Sequence, residues 1–473
     1  MVTKDEVIKE YVRAVIEGYA AVFAGAGLSR GSGYTNWKDL VRPLAKEIGL
    51  DVDKEHDLIA IAQYYKNERG TRSGINQRIL NEFTKDTKAN ANIDILTRLP
   101  ISTYWTTNYD ELIEESLKTN NRKADIKTTQ ASLAENIYDR DAIVYKMHGD
   151  VRCPSKAVIT KDDYEIYGVE RPLFRTALQG DLISKTFLFI GFSFEDPNLD
   201  YILSQIRILL GESTRDHYCF FENVKQLDNE SEHDFQYRVV KQEHRIKDLK
   251  RYGIQAILLD SYSEITEVLT KVEKQIKLKN VFISGSLTKA EIPWTDKTVK
   301  QFMYLLASKI VEHDYRITSG FGEFIGSTVI NGALAEIFNS KYKHINEHLL
   351  LRPFPQLEVE FMNLDELWHE WRVEMIGDVG ICIFAFGNKM DSDDNIVISD
   401  GMIKEFEIAK SMEKIIVPVG STGGASKLIY GQVIDEIDKY PYLKPFLDDL
   451  INVTNPETLI DIIFKIIINQ NAI

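Results

Sequence analysis

Short apolar runs recur along this chain, each broken off by glycine, serine, asparagine or histidine and followed by a stretch of helical period. In the first half they lie at residues 20–24, 101–105, 142–146, 186–190 and 251–260. In the second half they lie at residues 281–283, 315–318, 348–351, 379–386 and 414–419. Runs of this length bounded by turn residues suit buried strands, and the periodic stretches between them suit crossover helices. Strands alternating with helices predict a parallel, doubly wound sheet, and two such series predict two Rossmann-like α/β domains in tandem. The expected division is 1–276 and 277–473. Residues 40–95 read as helical, with Leu58, Ile61, Ala62 and Tyr65 three and four apart, interrupted by a loop at 67–74. They form an expected helical insert over one end of the first sheet. Residues 228–250 are densely charged and read as a solvated helix.

In a doubly wound sheet, ligands sit beyond the carboxyl ends of the strands. The first run ends in Gly25-Ala26-Gly27, followed by Ser29, Gly31, Ser32 and Gly33. Glycines there let the backbone turn sharply and approach a phosphate. The next runs end in Thr106-Thr107-Asn108-Tyr109-Asp110, in Met147-His148-Gly149-Asp150 and in Gly191-Phe192-Ser193-Phe194. All four ends are expected to converge on one crevice. By residue type alone, Asn108 could equally cap the following helix and His148 could be structural. Asp110 could be a cap or first-turn charge, and Ser193 a turn residue.

Composition narrows the classes. The chain has 473 residues, 44% apolar and 27% charged, with a net charge of −15. No Lys/Arg block offsets that charge, so nucleic acid is not expected as a partner. The amphipathic start, with Val7, Ile8, Tyr11, Val12, Val15 and Ile16 on one face, lacks the features of a signal peptide, and no run is long enough to span a membrane. The protein is therefore expected to be cytoplasmic. Cys153, Cys219 and Cys382 are solitary and far apart, which leaves no zinc ribbon to build.

The four motifs GAGLS, TTNYD, KMHGD and GFS, in that order, resemble the signature of the sirtuin (SIR2) family. The resemblance implies NAD+ as substrate. It gives Gly25, Ala26, Gly27 and Ser29 to the pyrophosphate loop. Asn108 and Asp110 fall beside the nicotinamide ribose and carboxamide, His148 is the general base, and Ser193 lies near the adenosine half. Two departures matter. Sirtuin deacylases follow the loop with Asp-Phe-Arg where this chain has Thr35-Asn36-Trp37, and they carry a four-cysteine zinc module for which this chain has no counterpart. With no acyl-lysine groove expected, water becomes the acceptor, and the expected activity is NAD+ hydrolysis without zinc or other metal. The alternatives are a protein deacylase and a nucleotide-sensing scaffold without turnover.

The second half again ends its strands in glycine turns: Ser284-Gly285-Ser286, Ser319 to Gly326, Gly387-Asn388-Lys389 and Gly420 to Gly424. It resembles the SLOG superfamily, whose glycine-rich loop is present as SGFGEFIG. That family's Pro-Gly-Gly-x-Gly-Thr-x-x-Glu motif is replaced by Phe386-Gly387-Asn388-Lys389 and a helix carrying Glu405. The replacement implies binding without hydrolysis. A SIR2 domain followed by a SLOG domain resembles the effector family of the bacterial Thoeris anti-phage system. In that family a cyclic ADP-ribose isomer, made by a TIR-domain partner, binds the SLOG domain and switches on NAD+ depletion. The ligand residues this implies are Arg372, Lys389 and Glu405, and the implied assembly is a homo-tetramer or larger. The strand ends themselves add Ser284, Gly285, Ser286, Gly320 and Gly322, whose backbone N–H groups suit phosphates. Read without the family, Arg372, Lys389 and Glu405 are ordinary surface charges.

Overall fold

A computed structural model describes residues 2–211, 213–357 and 363–471. The chain divides into two compact units, Met1–Glu273 and Lys274–Ile473.

The first unit is built on a seven-stranded sheet: β1 (Ala20–Ala24), β2 (Thr103–Thr106), β3 (Ala124–Lys127), β4 (Ala142–Lys146), β5 (Thr186–Ile190), β6 (His217–Glu222) and β7 (Ile254–Leu259). Its order is β3-β4-β2-β1-β5-β6-β7, with every neighbouring pair parallel. Every residue of β1, β2 and β5 is buried, as expected where helices cover both faces. Towards the edge, β3 and β4 alternate buried and half-buried positions. The order reverses at β1, which runs between β2 on one side and β5 on the other. Such a switch point opens a crevice at the carboxyl ends of the strands.

The expected insert forms as helices Trp37–Glu47, Leu58–Arg69, Ser73–Phe83 and Ala91–Arg98. Each of the first two starts on a side-chain cap, Asn36 to the N–H of Asp39 and Asp57 to that of Ala60. The second ends at Gly70 in the left-handed region, φ 62°, so the expected loop shrinks to a tight turn.

The second unit repeats the plan with five parallel strands: β8 (Asn280–Ser284), β9 (Arg316–Ser319), β10 (Leu349–Leu351), β11 (Ile381–Ala385) and β14 (Ile415–Val419), in the order β10-β9-β8-β11-β14. Between β11 and β14 lies an antiparallel hairpin, β12 (Asn388–Met390) with β13 (Ile396–Ile398). The switch point here is β8, whose carboxyl end is Ser284. Both units are thus parallel-sheet, Rossmann-like domains.

Candidate functional site

A cavity of about 890 Å³ opens at the carboxyl ends of β1, β2, β4 and β5. Small-molecule sites commonly enclose roughly 300–1,000 Å³. Its lining includes Ala26, Gly27 and Ser29 after β1, Asn108 and Asp110 after β2, His148 after β4, and Gly191, Ser193 and Asp196 after β5. The insert adds Trp37, Lys38, His56 and Phe83, and the helix Lys161–Glu170 adds Tyr164. Gly25, just outside the lining, joins the same network through Asn108.

Asn108 is no helix cap. Its backbone N–H donates to Thr106 Oγ1 at 2.9 Å, which turns the chain sharply off β2. Its Nδ2 donates to Gly25 O at 3.0 Å and to Ser29 Oγ at 2.9 Å. Both amide protons are therefore spent on the β1 loop, and Oδ1 remains as the acceptor for a ligand. Asp110 accepts the N–H of Leu112 on Oδ1 at 3.2 Å, so it does serve the next helix. Its Oδ2 is buried without a hydrogen-bond partner. Burial raises the Asp110 carboxyl above its ordinary range, with Lys146 and the Ser29 hydroxyl opposing.

The glycines of the β1 loop answer first to the protein. A Cβ on Gly27 would lie 2.8 Å from Gly191 Cα. The Gly25 N–H donates to Ile190 O at 2.9 Å and that of Gly27 to Gly191 O at 2.8 Å. Those donors hold the β5 turn against the β1 loop. The Leu28 N–H turns back to Gly25 O, which leaves the Ala26 N–H for an anion.

Three groups were not singled out by sequence. Lys146, fully buried at the end of β4, reaches Glu114 Oε1 and Asp150 Oδ2, each at 3.0 Å. Its Nζ also donates to the carbonyls of Tyr109 and Asp110, which ties the Asn108–Asp110 loop to the His148 strand. Its pKa is raised although burial pulls the other way, because Glu114, Asp150 and Asp110 surround it. Asp196 and Tyr164 flank His148, whose Nε2 lies 3.0 Å from Asp196 Oδ2. The imidazole is turned so that Nε2 is not aligned for a hydrogen bond, although the distance allows one. Ser193 lies exposed at the rim, its carbonyl held by Arg245 from the helix Glu232–Lys250.

In the second unit, the sequence-chosen residues other than Lys389 form one connected set. Ser284 Oγ donates to Glu405 Oε2 at 2.6 Å, and Arg372 Nε lies 3.7 Å from Glu405 Oε1. The Arg372 guanidinium sits over Phe354, 4.8 Å from the ring centroid, and its Nε has no hydrogen-bond partner. Gly320 abuts the same ring, and Gly322 abuts the Gly285 carbonyl. Ser286 Oγ donates to Asn388 O at 3.1 Å. Lys389 stands further out, paired with Asp400. Burial pushes the Glu405 carboxyl up to about 7, against the pull of Ser284 and Arg372. Arg372 and Glu405 are therefore buried groups, each less than a tenth exposed, rather than surface charges.

Among the described residues, no group of three or more His, Cys, Asp or Glu is placed to hold a metal ion. No helix among them is long and apolar enough to cross a membrane.

Two families match the chain: "SIR2-like domain" over residues 102–257, and "Sir2- and TIR-associating SLOG family" over residues 264–470. The "NAD(+) hydrolase ThsA" of Bacillus cereus (strain MSX-D12) is 47% identical over 434 residues, which cover 92% of this chain and 90% of that protein. The protein of the same name from Acinetobacter baumannii (strain 532279) is 43% identical, over 92% of this chain and 91% of its own. That of Cytobacillus dafuensis is 44% identical, over 92% and 90%.

Proposed function

This chain belongs to the ThsA family of NAD(+) hydrolases, from which we infer that it cleaves the nicotinamide–ribose bond of NAD+ in the cavity of its first domain. The observation that carries the reading is the meeting of Asn108, Asp110, Ser29 and His148 around one cavity at the switch point of the sheet. The reaction passes through a ribosyl cation, so the site must hold the ribose, exclude bulk water and present one oriented nucleophile. Asn108 Oδ1 and Asp110 Oδ2 are buried acceptors suited to ribose hydroxyls or the carboxamide N–H. The Ala26 N–H and Ser29 suit the pyrophosphate, and Ser193 at the rim suits the adenosine half. His148 takes a proton from water as its oxygen bonds to C1′. The electron pair of the breaking C–N bond returns to the nicotinamide ring, which leaves as a neutral base. The products are ADP-ribose and nicotinamide.

The second domain serves as the switch. Arg372, buried yet loosely paired, offers a guanidinium to a phosphate, and Lys389 adds a point charge. Ser284, Gly285, Ser286, Gly320, Gly322 and Glu405 complete the pocket. The ligand is a cyclic ADP-ribose isomer made by a TIR-domain partner, and its binding starts the NAD+ depletion that serves anti-phage defence in the cytoplasm. The working form is a homo-tetramer or larger assembly; the exposed Val169, Ile208 and Leu209 suit contacts between copies.

The test is nicotinamide release from NAD+ by the full chain, with and without cyclic ADP-ribose and its linkage isomers, alongside particle size. Asn108→Ala and His148→Ala each lower the rate about 10²–10⁴-fold with unchanged melting. Wild-type turnover by either variant overturns that residue's role, and the absence of turnover with every isomer overturns the switch.

A further inference from the structure

His148 does not stand alone in the cavity. Its Nε2 lies 3.0 Å from Asp196 Oδ2, and both side chains are more than nine-tenths buried. The Tyr164 hydroxyl reaches the same oxygen at 3.4 Å, while its ring meets the imidazole edge-on with centroids 5.5 Å apart. Tyr167 packs on the imidazole at 6.3 Å. The other carboxylate oxygen, Oδ1, caps the helix Pro197–Leu210, accepting the N–H groups of Asn198 and Leu199 at 2.9 and 3.1 Å. Burial alone would raise the Asp196 carboxyl, yet His148 and the two cap N–H groups outweigh it and hold it below the usual range. The result is an ionised carboxylate, fixed by a helix end, facing the imidazole.

We propose that Asp196 is the positioning residue of the general base: it fixes the His148 ring with Nδ1 toward the substrate and stabilises the imidazolium formed when Nδ1 takes the proton from water. Nε2 lies at hydrogen-bonding distance from Asp196 Oδ2, and a small rotation of the ring brings the two into line, which leaves Nδ1 for the reacting side. As the water O–H bond breaks, the proton passes to Nδ1 while the oxygen bonds to C1′ and the nicotinamide departs with the C–N electron pair. Asp196 keeps its charge throughout and releases no proton. The inference rests on His148 being the base.

The remaining groups around the ring leave Asp196 as the carboxylate in direct contact. Tyr109, Tyr164 and Tyr167 stay protonated because burial raises each hydroxyl far above its ordinary range. Arg171 is spent on the Met147 carbonyl at 3.1 Å, and Lys161 and Glu165 line the cavity wall.

The helix cap makes the test clean. Asn caps a helix about as well as Asp, so Asp196→Asn keeps the cap on Oδ1 and replaces the charged acceptor facing His148 Nε2 by a neutral amide donor. The measurement is NAD+ turnover by the full chain, with the cyclic ADP-ribose isomer giving the largest wild-type rate. The expected result for Asp196→Asn is a kcat about 10–100-fold lower, a KM for NAD+ within about threefold and unchanged melting, a split that a merely structural role would not give. Wild-type kcat in Asp196→Asn, with His148→Ala inactive, overturns the positioning role while the base stands. Wild-type turnover by His148→Ala overturns the base and Asp196's role with it.

Discussion

Gly25 and Gly191 meet backbone to backbone: a Cβ built on Gly25 would lie 2.4 Å from the Gly191 carbonyl oxygen. The contact joins the ends of β1 and β5, so one methyl group there pushes the Ser193–Asp196 turn away from the Asn108 loop. Gly25→Ala should cost about 1–3 kcal/mol by overpacking and lower NAD+ turnover sharply. Gly180 and Gly431 lie inside the helices Pro172–Ser184 and Gly424–Asp435 with open space where a Cβ would go. Alanine at either should stabilise by roughly 0.5–1 kcal/mol and leave turnover unchanged. Thermal melting with paired rate measurements checks both signs.

Lys146 is the cation shared by the buried Glu114 and Asp150. Lys146→Met removes the buried cation from Glu114 and Asp150 and leaves Asp150 only its contacts with Arg152, a loss of about 3–5 kcal/mol at neutral pH. Burial already raises the Glu114 carboxyl against the pull of Lys146, so without Lys146 it stays protonated to higher pH in the folded chain than in the unfolded one. That contribution favours the folded state at low pH and is lost as pH rises. The variant should lag the wild type most near pH 8 and recover toward pH 5, as measured by chemical denaturation. A constant deficit would show that Lys146 acts by packing alone.

Glu405 gives the second domain its own pH dependence. Its carboxyl is raised to about 7, so the folded chain keeps a proton that the unfolded chain loses near pH 4.3. Its stabilising share is fully present below the unfolded pKa and is lost as pH rises through 7. Glu405→Gln should remove that decline, so its stability curve crosses that of the wild type as pH rises. Ionised Glu405 also competes for Arg372 and repels phosphate. Affinity for a cyclic ADP-ribose isomer should therefore weaken between about pH 6 and 8 in the wild type and stay level in Glu405→Gln, as calorimetry would read.

Arg372→Ala should weaken the same ligand about 10- to 150-fold, equivalent to roughly 1.5–3 kcal/mol of charge-assisted bonding. Nicotinamide release should then fail at ligand levels that saturate the wild type. Unchanged affinity in calorimetry would remove Arg372 from the pocket.

Hydrolysis should survive chelators, with less than one equivalent of zinc by elemental analysis. Cys153 is exposed while Cys219 and Cys382 are buried apart in separate units. Zinc and activity lost together on chelation would contradict this.

The strands that carry the site were legible because they are buried on both faces. The sequences AAVFA and TFLFI have no polar face to confuse them with helix or loop. β3 was missed because ADIK hides a buried ion pair, Asp125 with Lys127 at 2.8 Å, behind what reads as surface alternation. β6 was missed for a similar reason: it opens on His217, which burial holds neutral with a pKa of about 3 while its Nδ1 accepts the Phe187 N–H. The β12–β13 hairpin lacks a turn glycine and instead relies on Asp394 at φ 59° and an Asp391 side chain capping Asp393 and Asn395. Asp196 escaped notice because an Asp before Pro197 reads as a helix cap, which is what one of its oxygens does. No one-dimensional pattern reports the other.

The order β4-β2-β1-β5 also has a temporal meaning. The β1 loop leaves the ribosome early, but its partner turn at Gly191 and the carboxylate of Asp196 follow some 165 residues later. At roughly 5–20 residues per second, that delay is on the order of ten to thirty seconds. Until β5 slots in beside β1, the cavity lacks a wall and His148 lacks Asp196 beside it. A translation product that stops before β5 therefore carries the glycine loop, Asn108 and His148 without the strand that completes the cavity.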